Sequence, residues 1–115
     1  MELREAILNR RSVRRYLRRS VSQDMVREVL EAGRHAPTGG NMLLSAVSLG
    51  LGSCWVSGSD AARPASILEL PAGSEPVDVL PLGYPAVQPA APHKPELDEI
   101  VHYERYGCYS EPEEE

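Results

Sequence analysis

The stretch Leu49-Gly50-Leu51-Gly52-Ser53-Cys54-Trp55-Val56-Ser57 decides how the chain is read, because the hydrophobic pattern changes inside it. Upstream, Met42 to Leu51 is apolar on nearly every face except at Ser45 and Ser48, the pattern of a helix buried in a core or an interface. Gly50 and Gly52 end that helix, and Ser53 to Ser57 follows as a short strand.

Working outward from this junction, residues 2–10 form a first helix with Leu3, Ala6, Ile7 and Arg10 on one face. Arg11 to Val21 is a basic connector. Ser22 is placed to cap a second helix, Asp24 sits in its first turn where the dipole favours an anion, and Val26, Val29, Leu30 and Gly33 recur at helical spacing. His35 lies in its last turn, Pro37 stops it, and Thr38-Gly39-Gly40-Asn41 is a loop. Downstream, Gly58-Ser59-Asp60 opens a helical piece running to about Leu70, with Pro64 tolerated in its first turn. Pro71-Ala72-Gly73 is a turn, and Val77 to Tyr84 is a second strand that Pro81 confines to an edge or a bulge. Eight of the ten prolines fall between Pro64 and Pro95, so Ala86 to Pro95 reads as an extended arm. Leu97 to Tyr106 closes the chain, with Leu97, Ile100, Val101 and Tyr103 as anchors.

Composition sets the limits. A chain of 115 residues implies one domain with a limited core, and with no Phe and one Trp that core is thin enough for oligomerisation to be a natural remedy. Cys54 and Cys108 make no disulfide framework, and Cys54 beside Trp55 reads as packing. His35, His93 and His102 lack metal-ligand spacing. The apolar-rich stretch Met42 to Val56 is too short to span a bilayer, and the N-terminus lacks an apolar signal region, so a cytoplasmic location is expected. The net charge of -5 hides an asymmetry: residues 1–35 carry nine Arg against five acids, and the remainder carries three basic groups against twelve acids. Six of the arginines lie between Arg10 and Arg19, which reads as a solvated connector, a nucleic-acid patch or a phosphate-binding group. The acidic overall charge weighs against nucleic acid.

Three stretches in order resemble the nitroreductase family. They are Ala6-Ile7-Leu8-Asn9-Arg10-Arg11-Ser12-Val13-Arg14-Arg15-Tyr16; then Ala32-Gly33-Arg34-His35-Ala36-Pro37-Thr38-Gly39-Gly40-Asn41; then Leu49 to Trp55, continuing through Leu80-Pro81-Leu82-Gly83-Tyr84-Pro85 to Ile100-Val101-His102-Tyr103-Glu104-Arg105-Tyr106-Gly107. The resemblance implies an α+β, truncated nitroreductase-like fold, with helices around a small sheet completed by dimerisation. It implies FMN as cofactor, bound at a homodimer interface, and hydride transfer from NAD(P)H to nitroaromatic or quinone-like acceptors.

By the same resemblance, Arg10, Arg11 and Ser12 belong to the group that holds the flavin phosphate and ribityl chain, and Arg14 lies near the pyrimidine edge of the ring. Pro37, Thr38 and Gly39 match the loop that covers the ring from the other subunit, and Asn41 the amide that bonds it. Ser57 and Gly58 match the strand end that approaches the flavin N5, and Lys94 the late basic residue that returns to the phosphate. The chemistry suits these roles, since charge-assisted bonds from Arg to a phosphate are about twice as strong as neutral ones. A fixed cation beside a ring that gains negative charge favours its reduction.

The pattern departs from the family after Asn41. The family continues with Gln-Pro-Trp and further strands, whereas here Met42 runs straight into Leu43-Leu44-Ser45-Ala46, as though a central segment were missing near residue 42. The expected organisation is therefore one domain over residues 1–107 and an acidic disordered tail over 108–115. The missing segment keeps a second reading open, a non-catalytic dimeric remnant that has lost turnover.

Overall fold

The computed structural model describes residues 1–36, 39–57, 62–76 and 78–110. Three helices come first. α1 spans Leu3–Asn9, with Ala6 buried but Leu3 and Ile7 exposed. α2 spans Gln23–Arg34, and the Ser22 hydroxyl accepts a hydrogen bond from the Met25 N–H at 3.2 Å, the cap its sequence indicates. α3 spans Gly40–Ser48 and buries Leu43 and Ala46.

The end of α3 shows why Gly50 is needed. The Gly50 N–H donates to the Val47 carbonyl at 3.1 Å, and the Leu51 N–H donates to the Ala46 carbonyl at 2.9 Å. This pair of bonds is the Schellman closure, which places the residue after the cap in the left-handed region. Gly50 sits there at φ 78°. The closure folds Leu51 back beside Ala46 and Val29, the centre of the core, and Met25, Met42, Leu82 and Tyr84 pack around them.

The two strands expected from sequence each divide in two. β1 is Gly52–Ser53 and β2 is Val56–Ser57; β3 is Asp78–Val79 and β4 is Leu82–Gly83. β1 pairs antiparallel with β4, and β2 with β3, in one common register. That register sets Cys54 opposite Pro81 and Trp55 opposite Leu80 in the gap between the paired segments. Pro81 has no N–H to contribute, so the ladder breaks where the sequence puts its proline. Between β2 and β3 lies α4, Ala62–Ile67, which contains Pro64 in its first turn; the start expected at Gly58–Asp60 lies outside the described residues.

Residues 12–17 are more than a connector. Ser12 bridges Ser53, and the Val13 N–H donates to the Ser53 carbonyl at 2.9 Å. Further along, Tyr16 bridges Pro85, the Leu17 N–H donates to Tyr84 and the Ala86 N–H donates to Arg15. The arginine-rich segment is thus an extended ribbon laid along the small sheet. Its two inward residues fill space left by glycines. A Cβ on Gly52 would lie 2.9 Å from Val13, and one on Gly83 would lie 2.9 Å from the Tyr16 ring. Gly52 and Gly83 are themselves cross-strand partners, so the missing side chains form one socket.

Beyond Pro85 the arm leads to α5, Leu97–Ile100. Leu97 is 73% and Ile100 58% exposed, so these expected anchors are not held by the described part of their own chain. The closing turn is stabilised locally: His102 stacks on Tyr106 with ring centroids 4.5 Å apart and accepts a hydrogen bond from the Gly107 N–H. The radius of gyration is 18.2 Å, against about 13 Å expected of a compact chain this long.

Candidate functional site

A cleft of about 600 Å³ opens between the C-terminal end of α1, the first turn of α3 and the arm at Ala91 to Lys94. Its walls are apolar at Ile7, Leu8, Leu43, Leu44 and Pro92. Its polar lining consists of Arg10, Arg11, Lys94 and Asn41, with no acidic side chain among the described residues. Gly40 and Asn41 open α3, and the positive end of a helix dipole favours an anion. Three cations, a helix start and apolar walls suit a ligand with an anionic end and a flat apolar body.

The sequence-derived residues divide into those this cleft gathers and those it does not. Arg10 is the C-terminal cap residue of α1, where the chain turns from helix to extended backbone, and it stands half-buried in the cleft lining. Arg11 lines the cleft too, but its Nη1 donates to the Leu8 and Arg10 carbonyls, both at 2.9 Å. It therefore also closes the C-terminus of α1, where a cation and a donor are both favoured. That role was legible from a basic residue just beyond a helix end and was missed. Asn41 and Lys94, distant in sequence, meet in the same cleft.

Ser12, Arg14 and Gly39 do not line it. Ser12 sits on the ribbon bridged to Ser53, and Ser57 ends β2 opposite Asp78. Gly39 caps the start of α3; a Cβ there would come within 3.1 Å of the Trp55 ring, so glycine allows the indole to lie against the loop. Arg14 is exposed on the ribbon. Pro37, Thr38 and Gly58 lie outside the described residues. The lining residues not anticipated are Ile7, Leu8, Leu43, Leu44, Ala91 and Pro92; only the exposed apolar pair Ile7-Leu8 next to Arg10 offered a signal in the sequence.

Arg14 acts on one neighbour. Burial pushes the Tyr16 phenol above its ordinary pKa, the nearby Cys54 adds to the rise, and the Arg14 guanidinium opposes it. The Tyr16 hydroxyl donates to the Val13 carbonyl, which fixes the ring over Gly83.

A second, smaller hollow of about 270 Å³ lies between α2 and the extended Leu80-Pro81-Leu82 segment, lined by Val26, Val29, Leu30 and Met42. Among the described residues there is no group of three or more His, Cys, Asp or Glu placed to hold a metal, and no helix long and apolar enough to cross a membrane.

These features define a mixed helix-and-sheet protein with an amphipathic, anion-accepting cleft. The chain belongs to the nitroreductase family, whose family model matches residues 7–43 and 39–84. The two matched segments meet at residues 39–43, the place where the sequence departs from the family pattern. Solved structures share the fold. A protein from Bacteroides thetaiotaomicron described as an NADH dehydrogenase/NAD(P)H nitroreductase is 21% identical with a TM-score of 0.81, over 90% of this chain and 98% of that one. A protein described as a nitroreductase, in complex with FMN, from Desulfovibrio desulfuricans is 23% identical with a TM-score of 0.76, over 90% and 97%. A nitroreductase family protein from Clostridium difficile is 24% identical with a TM-score of 0.76, over 91% and 99%.

Proposed function

We propose that this chain is a flavin oxidoreductase of the nitroreductase type, which binds FMN as a homodimer and passes hydride from NAD(P)H to nitroaromatic or quinone-like acceptors. The observation that carries the reading is the cleft that brings Arg10, Arg11, Lys94 and the first turn of α3 together against apolar walls. Its charge fits a phosphate dianion: guanidinium forks give paired, charge-assisted bonds and the helix start adds the positive end of its dipole. Its volume lies within the range of small-molecule and cofactor sites. In this reading Arg10, Arg11 and Lys94 hold the phosphate, with Ser12 beside them on the ribbon. Asn41 bonds the ligand's polar edge, and Arg14 supplies positive charge near the ring. Gly39, with Pro37 and Thr38, covers the ring from the partner subunit, and Ser57 with Gly58 meets it from the end of β2. Bound FMN supplies the hydride-accepting chemistry; the protein's work is to bind, orient and exclude water. The FMN complex of the Desulfovibrio desulfuricans protein supports the cofactor assignment.

The test is an absorption spectrum of the purified protein after incubation with FMN, followed by gel filtration. Flavin bands that co-elute with the protein, and that are lost in Arg10→Ala/Lys94→Ala, support the reading. Protein that stays colourless overturns it. A specific observation also favours the second reading, a dimeric remnant without turnover. The sheet consists of two-residue strands, and the family match joins two separated segments at residues 39–43. A missing central segment at this join would remove part of the ring pocket while leaving the phosphate end intact. Flavin retained without NAD(P)H oxidation identifies the remnant, and steady NAD(P)H oxidation excludes it.

A further inference from the structure

Beyond α5 the chain makes a turn that closes on itself. The Tyr103 N–H donates to the Cys108 carbonyl at 2.7 Å, the Arg105 N–H to the Tyr103 carbonyl at 2.7 Å, and the Cys108 N–H to the Arg105 carbonyl at 3.2 Å. One side chain ties this turn to the residue before it. His102 Nδ1 accepts a hydrogen bond from the Gly107 N–H at 2.6 Å. The same imidazole stacks on Tyr106 with planes 19° apart and meets Tyr109 at 4.8 Å between centroids. The turn also holds Glu104 at φ 66° and Gly107 at φ 88°. Glycine takes the left-handed region freely, whereas a glutamate there is strained.

The acceptor in that contact is a nitrogen whose lone pair a proton removes. Nδ1 accepts only in the neutral imidazole, so the closed turn requires neutral His102 with its proton on Nε2. Imidazolium carries N–H on both nitrogens. Two N–H groups would then face each other at 2.6 Å, and the ring must swing aside. A cation gains some attraction over a tyrosine ring, but the stack on Tyr106 and the contact with Gly107 depend on one ring position and are lost together. The titratable groups of the turn are Glu104, Cys108 and the phenols of Tyr103, Tyr106 and Tyr109, with Arg105 as its cation, and α5 adds Asp98 and Glu99. None of the carboxylates among them forms an ion pair with His102. Glu111 and Glu113 to Glu115 follow in sequence and lie outside the described residues.

We propose that His102 is a pH-operated latch on this turn: neutral, it holds residues 102–109 closed through Gly107, and protonated, it releases them. Histidine is the side chain that changes charge between about pH 8 and pH 5, so the latch works in that range. Release lets Glu104 leave its strained conformation and parts the imidazole from Tyr106 and Tyr109. Little else opposes it, because Tyr106 is 92% exposed and Leu97 and Ile100 of the preceding helix are exposed as well. The device therefore acts locally and leaves the core around Val29, Ala46 and Leu51 untouched. It is independent of the flavin reading, since no residue lining the cleft takes part.

The test is a titration of the full-length chain by heteronuclear NMR from about pH 8 to about pH 5, with salt enough to screen the carboxylates. The Gly107 amide and the Glu104 Cα report the turn, the His102 ring protons report protonation, and Leu51 reports the core. In the wild type the Gly107 amide should lose roughly tenfold of its protection from exchange, relative to the intrinsic rate, on the scale of one lost hydrogen bond. Its shift and that of Glu104 should move with the same midpoint as the His102 ring. His102→Asn places an amide oxygen near the Nδ1 position and does not titrate, so its turn should stay closed across the range. His102→Phe keeps a flat ring without an acceptor, so its Gly107 amide should be unprotected throughout. A Gly107 amide that stays protected while the His102 ring titrates overturns the latch. So does opening that persists in His102→Asn, which would place the titration on another group, or a closed turn in His102→Phe. Loss of Leu51 protection together with Gly107 would make the opening global and overturns it too.

Discussion

Replacing Gly52 by alanine tests how the ribbon is seated. The new Cβ would lie 2.9 Å from Cβ, Cγ1 and Cγ2 of Val13, against a comfortable separation of about 3.5–4.0 Å between carbons. Valine is stiff at its only side-chain torsion, and the nearest atoms include its own Cβ, so rotation cannot clear the clash. Relief requires the ribbon backbone to lift, which strains the Val13-to-Ser53 hydrogen bond at 2.9 Å. Overpacking of this kind costs about 1–3 kcal/mol, and the alanine recovers about 0.4–1 kcal/mol by narrowing the unfolded ensemble. A net loss of about 1–2 kcal/mol is expected, a fall in Tm of roughly 4–16 °C for a small domain. Thermal and urea unfolding measure it.

The control is Gly33→Ala. Its Cβ would come even closer to a neighbour, 2.6 Å from Cγ and Sδ of Met42, but that neighbour is a flexible thioether chain. A helix interior also gains about 1 kcal/mol when glycine becomes alanine. The expected change is within about 1 kcal/mol of zero. If Gly33→Ala proves the more damaging of the two, or Gly52→Ala is silent, then stiffness of the neighbour is not what decides the outcome and the reasoning is refuted.

Three other expectations are independent of that one. Ser22→Ala removes the cap at Met25 and should cost about 1 kcal/mol by urea unfolding, while Ser22→Asp retains most of it. Gly50→Ala forces a side chain into the left-handed region at φ 78° and should cost about 1–2 kcal/mol, with α3 fraying first in hydrogen exchange. Tyr16 has a folded-state pKa above its ordinary value, so the folded chain holds that proton more tightly than the unfolded one. Its contribution is therefore complete below the ordinary tyrosine range and declines as pH rises through the raised value. Tm should fall there, and Tyr16→Phe should flatten the fall.

The helices were legible because their information is local. Ser22, the Val26–Val29 spacing and Gly50 act within a few residues of themselves, and each appears as read. The expected strands were also right in place, and Pro81 correctly marked a weakness in the pairing. Their partners were not legible, because the Gly52–Gly83 socket joins positions far apart in sequence and is filled from a third place, the ribbon. The connector reading of Arg11 to Val21 failed for the same reason: charge dominated the local pattern, while Val13, Tyr16 and Val21 carried the packing. At the cleft, the resemblance pointed to Arg10, Arg11, Asn41 and Lys94, which converge, but periodicity could not show that the arm at Ala91 and Pro92 forms a wall.

The pairing of Ala86 with Arg15 also governs when the molecule can fold. The ribbon is made first, and Tyr84 and Ala86 emerge from synthesis only about seventy residues later. Until then Val13 and Tyr16 have no finished sheet to cover, and only the helical part can consolidate by short-range contacts. Closing so distant a pair is slow compared with helix formation. The sheet should therefore be the last element to form, and interrupted synthesis before Tyr84 would release a chain with helices but an unseated ribbon.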